Sequence, residues 1–227
     1  MVSVLWTGGW DSTFRVLDLL HNTDYVVQPY YLIYLGRQST YHELATVNRL
    51  MDDLSHFGAR LRKPWIQLAD RYKYAEEPYA GALKTVLKTH HLGTQYLCLA
   101  QFRDAVDCSD IELCVVADDC ASECMRGYEH FDSDGVATVA IDAPAPIRIL
   151  LGGFRFPLLR LKKDQLFQSA ERQGFLPLLE KSWFCHQPIE GAPCGHCAPC
   201  RNVVAQGLEY RLGQRGLQRY LATVRGE

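Results

Sequence analysis

The sequence of 227 residues contains no apolar run of the roughly 20 residues that a membrane-spanning helix needs. Its formal net charge is only -2. A charge this small creates no overall field that would attract nucleic acid or an anionic membrane. The first predicted strand begins at Val2, which leaves no room before it for a secretory signal. These absences predict a cytoplasmic protein that does not associate with membranes.

The composition is that of a globular protein, with 48% hydrophobic and 22% charged residues. Cysteine is the exception, because nine are present and four of them crowd into one short stretch near the end of the chain. In a reducing compartment, such clustering favours a metal site over disulfides.

Short apolar runs alternate with longer amphipathic ones along the first two-thirds of the chain. The predicted strands are "VSVLW", "DYVVQPYYLIY", "PWIQLA", "TQYLCLA" and "IELCVV", and the predicted helices include "STFRVLDLLHN", "TYHELATVNRLMDDLSHFG", "AGALKTVLKTHHLG" and "KKDQLFQSAERQGF". Residues 118–146 are interpreted as an irregular excursion. The alternation predicts an α/β fold, a Rossmann-like parallel sheet with helices on both faces, and its ligand site at the carboxyl ends of the strands.

The segment "TGGWDS" follows the first predicted strand and opens the first predicted helix. Gly8 and Gly9 permit a close approach of the backbone, and successive amides in such a turn form an anion-binding nest. The helix start adds unpaired N–H donors, and Thr7 and Ser12 add hydroxyls. The pattern predicts a phosphate site, although a simple turn capped by Asp11 or Ser12 also fits it.

The loop lacks the lysine of a P-loop and also fails the G-x-G-x-x-G pattern of dinucleotide folds. It resembles instead the PP-loop motif, S-G-G-x-D-S, of the N-type ATP pyrophosphatases. Thr7 stands where that motif has its first serine and keeps the hydroxyl.

The stretch "CHQPIEGAPCGHCAPC" has the spacing C-x8-C-x2-C-x2-C. Four thiolates from Cys185, Cys194, Cys197 and Cys200 satisfy a tetrahedral zinc ion and leave no open position, which predicts a structural site. His186 or His196 could replace one sulfur, and free or redox-active cysteines are the alternative to any metal.

Taken together, the loop and the cysteine spacing resemble the 7-cyano-7-deazaguanine synthase family, over most of the chain. Arg37 and Glu43 in "GRQSTYHEL" match the arginine and glutamate that follow the family's second strand, and Lys163 matches a lysine at a helix start. The family's Tyr-Pro-Asp-Cys-Arg substrate loop is replaced by "VVADDCASECMRG", where Asp118 or Asp119, Cys124 and Arg126 are loose counterparts.

The resemblance implies an adenine nucleotide alpha hydrolase-like fold, with a PP-loop ATP-binding domain at residues 1–180 and a small zinc-binding segment with terminal helices at 181–227. It implies ATP, magnesium and zinc as cofactors. It also implies three sets of site residues: Thr7, Gly8, Gly9, Asp11, Ser12, Thr13 and Arg37 for ATP; Asp11, Ser12 and Lys163 for catalysis; Cys185, Cys194, Cys197 and Cys200 for metal.

The implied reaction adenylates the carboxylate of a deazapurine-type acid and uses ammonia to form an amide and then a nitrile. Relatives often pair, so a homodimer is also implied. Three alternatives stay open. One is a diverged relative that applies the same adenylation to a protein or nucleic acid, for example in a defence system. The others are a tRNA-modifying PP-loop enzyme and an inactive zinc- and nucleotide-binding module.

Overall fold

The protein is described by a computed structural model that covers residues 1–72, 76–106, 108 and 110–225. The strands within these residues are β1 (Val2–Leu5), β2 (Val27–Ile33), β3 (Trp65–Leu68), β4 (Ile111–Glu112), β5 (Glu129–Phe131), β6 (Ala137–Val139) and β7 (Phe154–Arg155). The α-helices are α1 (Trp10–Asn22), α2 (Thr40–Asp53), α3 (Tyr79–Val86), α4 (Gln95–Ala105), α5 (Cys120–Met125), α6 (Ala145–Leu151), α7 (Lys163–Arg172), α8 (Leu176–Leu179), α9 (Ala198–Ala205) and α10 (Gly213–Arg225).

The main sheet has five parallel strands in the order β3-β2-β1-β4-β7. β2 and β3 extend from one side of β1, whereas β4 and β7 extend from the other, so the strand order reverses between β1 and β4. In open parallel sheets, ligands bind in the crevice beyond the carboxyl ends of the strands at this switch point. The end of β1 is therefore where a ligand is expected.

Helices cover both faces of the sheet. Successive side chains of a strand point to opposite faces, and apolar side chains on each face are buried against helices. Val4 belongs to a core formed with α1, α2, α7 and α8. Its neighbour Leu5 belongs to a second core formed with α3, α4 and α6. The predicted α/β fold with helices on both faces is confirmed.

A third, smaller core gathers three of the clustered cysteines and Leu212, with Trp183 and Tyr220 packed against them. It lies in the segment after residue 180. The domain boundary between 180 and 181 stays a prediction.

Two elements differ in kind from the sequence prediction, and the helix predicted over residues 80–93 ends earlier, at Val86. The run "TQYLCLA" lies mostly in helix α4, not in a strand, because an apolar run that is buried almost all round has no periodicity to separate the two states. The segment 118–146 is more regular than expected, since it contains α5 and the antiparallel hairpin of β5 and β6. No helix in the described residues is both long enough and apolar enough to cross a membrane.

Candidate active site at the end of the first strand

The glycine loop lies directly beyond β1, as the sequence predicts. Gly8 has a φ of 71°, in the left-handed region that favours glycine. A Cβ at this position would lie 3.0 Å from the carbonyl oxygen of Glu43 and 3.2 Å from Val47 in α2. Gly8 is therefore required both by backbone conformation and by the close approach of α2, and Gly9 then leads into α1.

The loop hydroxyls hold the turn together through long hydrogen bonds. The Ser12 Oγ accepts from the Thr7 backbone amide at 3.2 Å and lies 3.3 Å from Thr7 Oγ1. The Gly9 amide donates to Thr7 Oγ1 at 3.3 Å. Bonds of this length are weak, so a bound anion can compete for these donors. Thr13 differs, because its buried hydroxyl accepts from the Trp6 indole at 3.0 Å.

Asp11, in the first turn of α1, forms the charged centre of the site with Lys163. Asp11 Oδ2 lies 3.7 Å from Lys163 Nζ, at the first residue of α7. Within the described part of the chain, no donor reaches the buried Oδ1 of Asp11. Burial raises the pKa of Asp11 against the opposing charge of Lys163, and the carboxylates of Asp119 and Asp118 raise it further. A cation would relieve this crowding of carboxylates.

Arg37 and Glu43, which the sequence singled out together, form an ion pair at 3.2 Å between Nε and Oε1. The Glu43 carboxylate also accepts from the Tyr31 hydroxyl at 2.8 Å and from the Ser39 hydroxyl at 2.6 Å. A glutamate that is 5% exposed thus holds the arginine at the rim of the glycine loop. The Glu43 backbone also faces Gly8, so the same helix residue contacts both predicted features.

Three neighbouring cavities surround the Asp11–Lys163 pair. The first, of about 210 Å³, lies at the strand ends and is lined by Leu5, Leu32, Tyr96, Leu113 and Asp119 together with the glycine loop. The second, of about 160 Å³, separates the loop from the cysteine segment and is lined by Arg37, Lys163, Trp183, Phe184 and His186. The third, of about 250 Å³, is lined by Asp118, Asp119, Lys163, Asn202 and Gln206.

Several of these cavity residues escaped the sequence analysis. Tyr96 and Leu99 stand on α4, which the sequence suggested was a strand, and Asn202 and Gln206 follow the cysteine cluster on or next to α9. Burial raises the pKa of Tyr96 well above its usual value, so its hydroxyl stays protonated at neutral pH. Tyr96 and Leu99 were missed because their segment was predicted to be a strand. No sequence signal pointed to Asn202 and Gln206.

The four predicted metal ligands converge. The sulfur atoms of Cys185, Cys194, Cys197 and Cys200 all lie within 4.8 Å of one another. Three of the separations are 3.4, 3.8 and 3.9 Å. A tetrahedral ion with metal–sulfur bonds of about 2.3 Å separates its sulfurs by about 3.8 Å, so the cluster fits one such ion. An iron–sulfur cubane binds each thiolate to a different iron, which requires wider spacing.

The cluster is closed by α10. A Cβ on Gly195, whose φ is 84°, would lie 2.4 Å from the Gly216 carbonyl oxygen and 2.7 Å from the Tyr220 amide nitrogen. Arg219 donates to the carbonyl oxygen of Pro193 at 2.7 Å. The metal-binding loop therefore packs backbone to backbone on the last helix.

The cysteine segment also contacts the start of α1. The Arg211 guanidinium lies 4.6 Å from the ring centre of Trp10 and 5.1 Å from that of Phe184. It donates to the Ser182 carbonyl oxygen at 2.8 Å, and its burial lowers its pKa to about 10. The glycine loop and the cysteine cluster are thus parts of one packed region.

This arrangement is that of a PP-loop protein with a cysteine segment beside the loop whose four sulfurs could hold a metal ion. Residues 98–210 match the family model described as "Queuosine biosynthesis protein QueC", a span that includes Lys163 and all four cysteines. The chain is therefore similar to this family over about half of its length, and the predicted resemblance to the 7-cyano-7-deazaguanine synthase family is confirmed.

A solved structure with a similar fold is the U34-tRNA thiolase NcsA from Methanococcus maripaludis with its [4Fe-4S] cluster. The identity is 13%, the match covers 99% of this chain and 70% of that chain, and the TM-score is 0.43. Values this low transfer no residue role between the two proteins.

Proposed function

We propose that the protein is an ATP-dependent carbon–nitrogen ligase that adenylates a deazapurine-type carboxylate and converts it with ammonia, through an amide, to a nitrile. The observation that carries the proposal is the glycine loop. It lies at the switch point of the sheet, opens onto the N-terminus of α1, and sits beside the Asp11–Lys163 pair. Similarity to the QueC family supports the ATP-dependent part of the reaction.

In this proposal the loop binds the β- and γ-phosphates. The Gly9 amide, the Ser12 hydroxyl and the unpaired amides of the first turn of α1 are anion donors, and the helix terminus adds partial positive charge. Asp11 would hold magnesium, which would neutralise charge on the phosphates and usually keeps several of its waters.

The chemistry needs stabilisation of two charges. When the substrate carboxylate oxygen attacks the α-phosphorus, the bond to pyrophosphate breaks and negative charge grows on both products. Lys163 and Arg37 both line the second cavity, and in this proposal they would stabilise the α-phosphate. Ammonia then displaces AMP from the acyl carbon to give the amide. The amide oxygen next attacks a second ATP and releases pyrophosphate, and the nitrile forms when this oxygen leaves with AMP and the nitrogen gives up its two protons.

We propose zinc for the cysteine cluster, in a structural role. Four sulfurs at the spacing of one tetrahedral ion leave no open position for a substrate or water.

A second candidate keeps the adenylation and changes the acceptor to a group on a protein or nucleic acid. The observation that favours it is the segment after β4. There, Asp119 caps α5 by accepting from the Ala121 amide at 2.9 Å, and the family's Tyr-Pro-Asp is absent from the sequence.

The thiolase alternative receives less support from the cysteines outside the cluster. Burial raises the pKa of Cys124 to about 11, and burial together with the Glu112 carboxylate raises the pKa of Cys114. Both thiols stay protonated at neutral pH, whereas sulfur transfer requires a thiolate.

The test is pyrophosphate release by the holoprotein with ATP, magnesium and 7-carboxy-7-deazaguanine. We expect release above the blank, and loss of most of it in Lys163→Ala. The matched control is Lys181→Ala, because Lys181 pairs with Asp53 at 2.9 Å on the surface and lines none of the three cavities described above. No release by the wild type contradicts the proposed function, and release only with a protein or nucleic acid acceptor supports the second candidate.

A further inference from the structure

Trp183 contacts the glycine loop, the cysteine cluster and α2 at once. Its backbone amide donates to the Gly8 carbonyl oxygen at 2.8 Å. Its indole Nε1 donates to the Cys185 carbonyl oxygen at 2.6 Å. Its ring stacks on His42 of α2, with centroids 4.4 Å apart and 12° between the planes.

The bond to Gly8 controls an amide that faces the site. In a trans peptide the C=O and the following N–H point in opposite directions. When Trp183 holds the Gly8 oxygen on one side, the Gly9 N–H is directed to the other, where it now reaches Thr7 Oγ1. The Gly8–Gly9 peptide plane is therefore set by a residue from the cysteine segment.

Two contacts prevent this plane from rotating freely. The first is with α2, where the Glu43 carbonyl oxygen lies 3.0 Å from the position of a Cβ on Gly8. The second is with Trp183, which bonds the Gly8 oxygen and is itself stacked on α2 through His42. The loop is held between α2 and the cysteine segment, so a shift of either one changes the direction of the Gly9 amide.

Cys185 extends this chain of contacts to the metal. It supplies one of the four clustered sulfurs, and its own carbonyl oxygen accepts the Trp183 indole N–H. A metal ion that fixes the Cys185 backbone therefore also fixes the Trp183 ring two residues earlier.

We propose that Trp183 is a positioning residue that couples occupancy of the cysteine cluster to nucleotide affinity of the glycine loop. The inference rests on the proposed binding of ATP by that loop. Metal in the cluster raises ATP affinity by holding the Gly8–Gly9 peptide in its anion-binding orientation, without touching the nucleotide.

The first arm of the test measures the affinity of the holoprotein for magnesium-ATP by calorimetry in three variants. Trp183→Ala keeps the backbone amide that bonds Gly8 but removes the ring stack and the indole donor that fix its position, and we expect ATP affinity to fall about tenfold. Trp183→Phe keeps an aromatic ring against His42 and loses only the indole donor, so it should recover part of the loss. Trp65→Ala is the matched control, because Trp65 lies on the edge strand β3 and is 51% exposed.

Bound zinc is measured by mass spectrometry in each variant, so that affinity is compared at equal metal content. A Trp183→Ala variant that keeps its metal and binds ATP as tightly as Trp65→Ala overturns the inference. A wild type that binds no ATP overturns the proposed function as well, which separates the two failures.

The second arm removes the metal from the wild type with a chelator and checks the fold by circular dichroism. We expect ATP affinity to fall to that of Trp183→Ala, and metal removal from Trp183→Ala to cost little more, since coupled contacts are not additive. Equal additional losses in both proteins would show that metal and Trp183 act independently. If chelation unfolds the chain, the first arm alone decides.

Discussion

Replacement of Gly8 by alanine tests whether α2 shapes the glycine loop. Two costs combine at this position. A non-glycine residue at a φ of 71° costs about 1 kcal/mol. The new Cβ would also lie 3.0 Å from the Glu43 carbonyl oxygen and 3.2 Å from Val47, and overpacking of this kind costs about 1–3 kcal/mol.

Gly174 provides the matched control, because its φ is 77° and a Cβ added there would meet no atom within 4 Å. Gly174→Ala therefore carries the conformational cost without the contact. For a domain of this size, 1 kcal/mol corresponds to about 2–4 °C in melting temperature. We expect a loss of about 2–4 °C for Gly174→Ala and about 4–16 °C for Gly8→Ala.

The assays are thermal unfolding by circular dichroism and calorimetric titration with magnesium-ATP. Gly8→Ala is expected to lose at least about tenfold in ATP affinity, because the displaced loop no longer presents its amides, whereas Gly174→Ala should bind normally. If the two variants match in melting temperature and affinity, α2 does not constrain the loop and the reasoning fails.

Three further outcomes are expected. Glu112→Ala removes the bidentate partner of the half-buried Arg15 at 2.7 and 2.8 Å and leaves it only the Asp18 carboxylate at 3.0 Å, so it should cost about 1–3 kcal/mol in urea unfolding. The double variant with Arg15→Met should recover much of this, and equal instability of the single and double variants would contradict it. Asp11→Asn should raise the melting temperature of the magnesium-free protein at pH 7. The raised pKa of Asp11 means that its ionised carboxylate destabilises the folded state relative to the unfolded chain, and asparagine carries no such charge. This gain should vanish as the pH falls to about 4, where Asp11 of the wild type becomes protonated. A gain independent of pH would show that the charge of Asp11 is not its cause. Gly195→Ala should lower bound zinc and melting temperature together, since its Cβ would overlap the backbone of α10, and full zinc content would argue against that packing.

The sequence allowed good prediction where a feature depends on neighbours in the chain. The glycine loop was recognisable because strand, turn and helix signals follow one another within a few residues, and the cysteine cluster because its ligands are closely spaced. The strands β1 and β2 and the helix α7 were found for the same reason, since each carries its own periodicity.

Prediction was weaker where tertiary burial, and not the periodicity of apolar residues, decides between helix and strand. Residues 96–100 are buried on nearly every side, so only their packing in the completed core shows that they form part of the helix α4. The first cavity was not foreseen in detail, because Tyr96 enters it from that helix.

Local chemistry in the sequence was therefore sufficient to indicate a nucleotide loop, a metal cluster and a parallel α/β sheet. Tertiary structure alone decided that Lys163 faces Asp11, that Arg37 is held by Glu43, and that Trp183 joins the cluster to Gly8. The physical reason is that Asp11 and Lys163, like Gly8 and Trp183, are distant in the chain, whereas Arg37 and Glu43 are near neighbours whose side chains meet at the start of α2. The contacts of the distant pairs arise only when the strand order and the packing of α2, α7 and the last segment bring them to the end of β1.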